Sequence, residues 1–380
     1  MNARLRPFTR TTTSLLLGLC AAAALTCGLA AQNGSAEVVP GSAWATIDSA
    51  ATTPSSAARF DALRAFLKTT PTTGLMAVVG GRVAFQYGDV ARVSKVASVR
   101  KSVLAMLYGK HVAAGRVDLG QTVKQLGLDD LQPFLPEEEG ATLLQLLTAR
   151  SGIYLPAGNP ELTALSPRRG SQSPGTYFQY QNWDFNAAGA AFEKLTGTRI
   201  FDAVETDLAR PLGMQDFSVS RQKAISAMPD SRFPEYAMYF STRDMARLGL
   251  LMLRGGSWNG AQLIPRAWCE RITTLVTPHR DIHPTNLGSG AWASRWGYGM
   301  LWWVWDAPTL PGVITGPYSG AYTAMGAFGQ YITVLPVLDM VIAHKLDFDE
   351  AEAQGRKVPE VQPYEFDAIL QLLIAAHLGG

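Results

Sequence analysis

The sequence is poor in cysteine and has no long run of one charge sign, and each shortage excludes a class of protein. Only three cysteines occur among 380 residues, and two of them, Cys20 and Cys27, lie within the first thirty residues. A mature chain without that segment would keep only Cys269, which excludes an internal disulfide and leaves the fold dependent on its apolar core. Lysines and arginines number 33 against 31 acidic residues. They form no basic stripe, so nucleic acid is not an expected partner.

Long apolar runs are also missing, with one exception at the N-terminus. Three arginines within the first ten residues precede an apolar run over residues 15–29, and small residues follow it. The run is short for a membrane span, and the whole pattern is typical of a signal peptide over residues 1–30. We expect an exported chain, periplasmic or secreted, without a stable span in its mature part. A lipid anchor on Cys27 is a less favoured alternative, because Leu25 and Thr26 fit a lipoprotein signal poorly.

Turn residues and apolar spacing divide the remainder of the chain. Residues 31–55 are small and polar and predict a flexible leader before a domain that runs to residue 380. Apolar residues on both sides of the glycine pair at 80–81 predict a hairpin, and strand-like runs return near the C-terminus. The order predicts one sheet built from both ends of the chain, over about 56–97 and 291–380. Residues 98–290 would form an inserted, mostly helical lobe.

Ser98 and Lys101 carry the strongest chemical signal. Apolar spacing predicts a helix over residues 98–114, and a separation of three places both side chains on one face of it. A serine hydroxyl becomes a nucleophile when a base takes its proton, and a lysine can be that base if burial or a nearby cation lowers its pKa. The helix start also offers free backbone N–H groups to an oxyanion. The pair therefore predicts a nucleophile and its base.

The Ser-x-x-Lys pattern alone is weak, and another interpretation stays open. A second copy, Ser220 with Lys223, lies in a polar stretch, and about one match in a chain of this size is expected by chance. Taken by itself, Ser98 is more simply a helix N-cap beside a solvated lysine.

Tyr180 and Asn182 form the second signal, in the only Tyr-x-Asn of the sequence. They lie just before a predicted helix. A tyrosine beside a lysine can be held as phenolate or can exchange protons with a leaving group. An asparagine amide can bind both a lysine and a substrate carbonyl. The alternative is an aromatic loop in which Tyr180 packs and Asn182 caps the helix.

Together these motifs resemble the serine β-lactamase and penicillin-binding-protein family, in its class C and esterase-like branch. The resemblance covers roughly residues 75–341. Further landmarks agree with that branch in order and context: Gly115–Leu119, Leu143–Gly152, Arg210–Met214 and Ser241–Arg247. The resemblance implies an α/β (α+β) fold, in which an antiparallel sheet is flanked by N- and C-terminal helices and carries an inserted helical lobe.

The resemblance also implies a role for each matching residue. Ser98 would be the acylated nucleophile and Lys101 its base. Tyr180 would relay the proton to the leaving group, and Asn182 would orient the substrate.

A strand at the edge of the family's site carries a lysine or histidine, then a hydroxyl residue, then glycine, and this chain departs from that pattern. Its glycine matches Gly326, at the substrate site, and the resemblance implies an oxyanion hole formed by the N–H groups of Ala327 and Ser98. Ala324 and Met325 stand where family members hold the free carboxylate of a penicillin or a D-Ala-D-Ala terminus. The charge-assisted contact they replace is typically worth about 1.5–3 kcal/mol. The sequence therefore favours an ester or small-amide hydrolase, like the family's esterases and 6-aminohexanoate-dimer hydrolases.

Other polar and aromatic residues carry weaker predictions. Tyr154 and Gln330 are candidate substrate contacts at the cleft, although packing is the simpler role for both. Trp296 is a candidate lid among tryptophans that are more typical of a core. His279 and His283 have the spacing of a metal pair, but flanking prolines and the lack of an H-E-x-x-H pattern argue against it. No metal or cofactor is expected.

The sequence thus predicts an exported serine hydrolase that cleaves a small ester or amide through an acyl-enzyme on Ser98. The first alternative is a β-lactamase or D,D-peptidase that binds the substrate carboxylate with another group. The second is a non-catalytic binding or sensor protein of the same fold. The expected partner is a small-molecule ester or amide, and the sequence does not fix the oligomeric state.

Overall fold

The computed structural model describes residues 38–48, 53–158, 166–282, 295–307 and 316–379. The predicted signal peptide over 1–30 and the residues Trp292 and His283 lie outside these ranges. The strands in chain order are β1 Gly74–Val79, β2 Arg82–Gly88, β3 Ser94–Lys95, β4 Lys223–Ile225, β5 Glu235–Ala237, β6 Tyr239–Phe240, β7 Ser257–Trp258, β8 Ala261–Gln262, β9 Trp296–Tyr298, β10 Trp303–Trp305, β11 Tyr322–Gly326, β12 Gln330–Leu335 and β13 Met340–Lys345. The α-helices of five residues or more are α1 Pro54–Leu67, α2 Val99–Ala113, α3 Leu143–Leu147, α4 Asn182–Thr196, α5 Ile200–Val204, α6 Thr242–Leu253, α7 Arg266–Ile272, α8 Asp349–Ala353 and α9 Pro363–Leu378.

Across the described ranges, none of the helices has both the length and the apolar character needed to cross a membrane.

Strands from both ends of the chain build one antiparallel sheet, in the order β2-β1-β13-β12-β11-β10-β9. β1 pairs with β2 on one side and with β13 on the other, where Gly74 faces Lys345. The β1–β2 hairpin turns at Gly80 and Gly81, whose φ angles of 57° and 77° suit glycine. The predictions of a Gly-Gly hairpin and of a sheet shared by both chain ends are confirmed.

Helices cover both faces of this sheet. Tyr331 and Ile332 are neighbours on β12 and therefore point to opposite faces. On one face, α9 stacks Phe366 on Tyr331 with 3.8 Å between ring centroids, and α1 packs beside α9. On the other face, α6 approaches so closely that a Cβ at Gly249 would lie 2.8 Å from Ile332 Cγ2. The fold is the predicted α/β (α+β) arrangement, with N- and C-terminal helices against an antiparallel sheet.

The segment between β2 and β9 forms the inserted lobe. It is mostly helical, as predicted, but short ribbons also occur, in which β3 pairs with β6, β4 with β5 and β7 with β8. Helix α2 is buried over most of its length and contacts α4, α5 and α7 of the lobe as well as β11 and β12 of the sheet. The start of α2 therefore lies at the boundary between the sheet and the lobe.

The described part of the predicted leader is bonded to the domain. Residues 45–47 exchange two backbone hydrogen bonds with Val83 at the edge of β2, at 2.8 and 2.9 Å. The buried Arg247 on α6 donates to the backbone carbonyls of residues 40 and 41, at 3.1 and 2.8 Å. The prediction of a flexible leader over 31–55 is wrong for these residues, because a buried guanidinium and an open strand edge both use their backbone groups.

Cys269 and Trp296 are core residues. Cys269 is buried in α7, and burial raises the pKa of its thiol to about 12. Trp296 is 1% exposed and packs edge-on against Trp305. The interpretation of Trp296 as a lid is therefore wrong.

Candidate active site

Ser98 lies where the chain leaves β3 and enters α2, at a strained turn. Ala97 before it has a φ of +46°, a left-handed conformation that costs a residue with a side chain about 1–2 kcal/mol. Ser98 occupies the N-cap position of α2, but its side chain makes no capping hydrogen bond. The structure does not support the helix-capping interpretation, and the hydroxyl stays available for chemistry.

Lys101 places a buried amine against that hydroxyl. Its Nζ lies 2.9 Å from Ser98 Oγ, and the side chain is 1% exposed. Burial lowers the pKa of the amine well below its ordinary value, and the positive charge of Arg100 lowers it further, while Glu235 acts in the opposite direction. A neutral amine can accept the serine proton, so this environment suits a general base.

Tyr180 brings its phenol from the loop before α4 to the same amine. Its Oη lies 2.7 Å from Lys101 Nζ, and burial raises the pKa of the phenol to about 12, although its contact with Ser98 opposes the shift. Three aromatic rings hold the phenol ring in place, with centroids 4.8, 6.0 and 5.6 Å away: Phe185, Tyr298 and Trp303. The structure thus brings the hydroxyl, amine and phenol together. Because the phenol stays protonated near neutral pH, the geometry supports proton exchange rather than a standing phenolate.

An ion pair that the sequence motifs do not reveal lies beside Lys101. Arg100 is 2% exposed, and its guanidinium donates to Asn186 Oδ1 at 2.9 Å and lies 3.6 Å from Glu235 Oε1. It also lies 4.1 Å from the centroid of the Tyr236 ring. The only signal in the sequence was an arginine next to the candidate base. A fixed cation there disfavours a second positive charge on the amine.

Strand β11 ends against the turn that carries Ser98. A Cβ at Gly326 would lie 2.5 Å from Val96 O and 3.1 Å from Ser98 N, which explains the need for glycine. The next residue, Ala327, is exposed and begins the turn to β12. Among the described residues, neither Ser98 N nor Ala327 N donates to a backbone carbonyl. Two unused N–H groups beside a nucleophile are the components of an oxyanion hole.

Asn182 and Tyr154, two predicted substrate contacts, differ in their surroundings. Asn182 is the first residue of α4 and is partly exposed. None of the hydrogen bonds between described residues joins its side chain to Lys101, so the anticipated lysine contact is not made. Tyr154 is 7% exposed, its hydroxyl has no partner among the described residues, and burial raises its pKa. Substrate contact stays a prediction for both.

Gln330 does not reach the surface of the cleft. It faces Gly326 across the β11–β12 hairpin, but its side chain is 0% exposed. Its Nε2 donates to Leu346 O at 2.7 Å, which ties β12 to the end of β13. The prediction that Gln330 contacts substrate is wrong, because its side chain is fully buried and its amide nitrogen is bonded to the backbone.

The strand beside the nucleophile offers no charged side chain. Side chains two apart share a face, so Ala324 lies on the face where Gly326 meets Ser98, and it is fully buried. Met325 is partly buried on the other face. The Thr323 hydroxyl lies within the sheet. From Tyr322 to Gly326, therefore, β11 provides no cation for a substrate carboxylate.

Other candidates lie outside the site. Ser220 bonds to Ser218 at 2.8 Å, and Lys223 is exposed on β4, so the second Ser-x-x-Lys is a surface feature. His279 lies 3.1 Å from an oxygen of Asp306. Within the part of the chain that the structure describes, no group of three or more His, Cys, Asp or Glu side chains is placed to hold a metal ion.

Comparison with known proteins identifies the family and the fold. The family described as Beta-lactamase matches residues 61–344. A 6-aminohexanoate-dimer hydrolase of Paenarthrobacter ureafaciens is 25% identical over 276 residues, 64% of this chain and 64% of that protein. An uncharacterized protein of Alkalihalophilus pseudofirmus is 32% identical over 108 residues, 27% of this chain and 28% of that protein. The chain thus spans less than two thirds of the length of either relative. A penicillin-binding protein homolog from Caulobacter crescentus shares the fold, with a TM-score of 0.58 and 16% identity over 85% of this chain and 98% of that chain.

Proposed function

We infer, from the premise that this chain belongs to the β-lactamase family, that it is a serine hydrolase whose acyl-enzyme forms on Ser98. The observation that carries this proposal is one contact set: Lys101 Nζ lies 2.9 Å from the hydroxyl of Ser98 and 2.7 Å from the phenol of Tyr180. We propose a small, uncharged ester or amide as the substrate.

In the first step, the neutral amine of Lys101 takes the proton of Ser98 as Oγ attacks the substrate carbonyl carbon. The carbonyl oxygen becomes an oxyanion, which accepts from the N–H groups of Ser98 and Ala327. Each such donor is typically worth about 3 kcal/mol in the transition state. The proton then passes from Lys101 through Tyr180 to the leaving alcohol or amine, and the carbonyl–leaving-group bond breaks. Lys101 is neutral again, and the acyl group is on Ser98.

In the second step, water enters where the leaving group departed. Tyr180 and Lys101 remove its proton while its oxygen attacks the acyl carbon, and the bond to Ser98 Oγ breaks. Ser98 recovers its proton and the acid is released. The same three groups therefore serve both halves of the reaction, as microscopic reversibility requires.

The surroundings of Ser98 support an uncharged acyl group. Strand β11 places Ala324 beside Gly326 and carries no cation. Without a cation, binding a substrate carboxylate would leave an unpaired charge at the cleft, which costs free energy. The relative from Paenarthrobacter ureafaciens is named a 6-aminohexanoate-dimer hydrolase, and because such a dimer is joined by an amide bond, the name supports an amide as well as an ester as the bond cleaved.

A penicillin-recognising enzyme is the second candidate, and its support is the shared fold with a penicillin-binding protein homolog. It requires a carboxylate-binding group from outside β11. Slow acylation by a fluorescent penicillin, without turnover of p-nitrophenyl esters, would favour it.

A serine-directed probe tests the proposal directly. We expect a fluorophosphonate to label the wild-type protein on Ser98 and to leave Ser98→Ala unlabelled, since the probe requires an activated hydroxyl. A panel of p-nitrophenyl esters, 6-aminohexanoate oligomers, D-amino-acid amides and β-lactams then ranks the substrates by kcat/KM. An unlabelled wild-type protein would instead indicate a non-catalytic binding or sensor protein.

A further inference from the structure

The turn from Ala327 to Gly329 joins β11 to β12 and carries the second proposed oxyanion donor. Phe328 in this turn has a φ of +67°, a strained value for a residue with a side chain. A strained turn keeps its shape only where its neighbours fix it. Its position matters because an oxyanion donor acts at about 2.7–3.1 Å.

His344 on β13 binds the last carbonyl of this turn. Its Nδ1 lies 2.6 Å from Gly329 O. A carbonyl oxygen accepts and cannot donate, so Nδ1 carries the hydrogen. In the neutral ring Nε2 is then unprotonated, and it accepts from Thr72 Oγ1 at 2.9 Å. The two contacts select one tautomer and one ring orientation.

The imidazole of His344 is sealed in the core. It is 0% exposed, and its ring lies 5.4 Å from Phe366 and 6.0 Å from Tyr331 between centroids. These two rings, the hydroxyl of Thr72 and the carbonyl of Gly329 face it. Burial lowers the pKa of the imidazole to about 4, so the neutral ring persists through the neutral range. With both nitrogens engaged, the ring positions the turn and takes no part in proton transfer.

The segment before α9 holds the same turn from another side. Val361 N donates to Phe328 O at 3.2 Å, and the Phe328 ring packs against Phe348 at 4.8 Å between centroids. A Cβ at Gly329 would lie 2.9 Å from Val361 Cβ, so the turn has no room to move in that direction. The turn is thus held between Val361 and His344.

We propose that His344 is a positioning residue for the oxyanion hole, because its bond to Gly329 O fixes the turn that aims the Ala327 N–H at the substrate carbonyl. This role rests on the function proposed above. A positioning role requires no carboxylate partner for the histidine. A Ser-His-Asp arrangement would require one.

Two amide variants separate the two contacts of the ring. In His344→Asn the amide nitrogen lies near the place of Nδ1 and can still donate to Gly329 O. In His344→Gln the longer side chain reaches toward the place of Nε2 and keeps only the Thr72 contact. We expect His344→Gln to lower kcat about 10- to 100-fold with KM within about twofold, since small misplacements of catalytic groups cost up to about a hundredfold. We expect His344→Asn to keep kcat within about threefold.

The affinity for a transition-state analogue distinguishes a positioning role from a merely structural one, because a merely structural role would leave that affinity unchanged. Phenylboronic acid forms a tetrahedral adduct with an active-site serine and places an oxygen in the oxyanion hole. Its inhibition constant should rise in His344→Gln by the same factor as kcat falls. Unchanged kcat and boronate affinity in His344→Gln, or equal losses in both amide variants, would show the proposal to be wrong.

Folding controls and a replacement variant ensure that each outcome either supports or contradicts the proposal. Circular dichroism and thermal unfolding establish that each variant is folded. If His344→Gln does not fold, His344→Phe, which fills the space without either hydrogen bond, takes its place and must show the same loss relative to His344→Asn. If fluorophosphonate labels the wild-type protein while the variants match it in kcat, only the role of His344 fails. An unlabelled wild-type protein refutes the hydrolase itself.

Discussion

At the scale of single residues, the site depends on an amine whose ionisation the fold disfavours. Lys101 is fully buried beside the cation of Arg100, and both lower the pKa of the amine. The lysine of the unfolded chain binds its proton more tightly than the buried amine does, so folding favours release of that proton. The same environment that makes Lys101 a base therefore lowers the stability of the folded protein at neutral pH.

Replacing Lys101 with methionine tests this coupling. We expect Lys101→Met to lower ester turnover at least about a hundredfold, because the serine loses its base. We also expect the variant to unfold at higher denaturant concentration than the wild type. Because the pKa of the amine is lowered in the folded protein, the unfolded wild-type chain binds more protons at this lysine below pH 10.5 than the folded one, so the stability difference should grow as the pH falls from about 10. Denaturant titrations at several pH values measure it.

Tyr180→Phe is the matched control for that experiment. It keeps the aromatic packing against Phe185 and Trp303 but removes the hydroxyl that passes the proton. We expect a comparable loss of turnover without the pH-dependent gain in stability. Parallel stability curves for Lys101→Met and the wild type would contradict the assignment of a neutral buried amine. Near-normal turnover in either variant would contradict its catalytic role.

At the scale of elements, the site requires β11 and the start of α2 to approach without a side chain between them. Gly326→Ala would place a Cβ 2.5 Å from Val96 O. The strand must then move away from Ser98, and we expect kcat/KM to fall at least about tenfold. Gly140→Ala is the control, because a Cβ there has nothing within 4 Å and Gly140 is not among the positive-φ glycines. Equal activities in the two variants would show that the close approach has no catalytic importance.

The sequence predicts the helices and turns that depend on residues close together in the chain. Apolar spacing predicts α2, and the glycine pair at 80–81 predicts the first hairpin, because periodicity and turn chemistry act over a few residues. Ser98, Lys101 and Tyr180 were found because each stands in a short motif. The prediction for Gln330 is wrong because its neighbours in the chain do not indicate that its amide nitrogen donates to Leu346 O.

Residues whose partners are distant in the chain were not predictable in this way. Arg100 meets Glu235, which lies far away in the sequence, and only the fold shows that this pair is buried beside the base. His344 on β13 binds Gly329 in the turn after β11 and Thr72 before β1, so its two partners lie far from it and from each other in the chain. The spacing of apolar residues carries no information on such contacts, because the local sequence around each of these residues does not indicate its distant partner.

At the scale of the whole molecule, a few buried cations tie separate parts of the chain together. Lys345 at the end of β13 donates to Ser94 O at 3.1 Å and to Phe240 O, and so joins the main sheet to the β3–β6 ribbon before Ser98. Arg247 likewise joins α6 to the N-terminal segment and to Leu212 O at 2.6 Å. In both cases the hydrogen-bond acceptors are carbonyl oxygens that the fold brings to a buried basic side chain.

Removal of the N-terminal segment tests the contribution of Arg247. A variant that begins at Ser49 lacks the carbonyls of Pro40 and Gly41, and we expect its free energy of unfolding to fall by at least about 1.5–3 kcal/mol, the usual contribution of one hydrogen bond to a charged group. A variant that begins at Glu37 keeps these contacts and is the reference for this comparison. Both should retain kcat, because Ser98, Lys101 and Tyr180 make their contacts elsewhere.

Combining the truncation with Arg247→Met separates this contact from the rest of the segment. In the methionine background no guanidinium is left without acceptors, so the truncation should cost only what the other contacts of the segment contribute. These are the two backbone bonds of residues 45–47 with Val83, the bond from Gln215 Nε2 to Ser42 O, and the packing of Val39 and Trp44 against the core. The difference between the two truncation costs is the coupling energy of Arg247 with the segment. Equal costs in both backgrounds would show that the arginine does not anchor the segment, and its other contacts would then account for its stabilising effect.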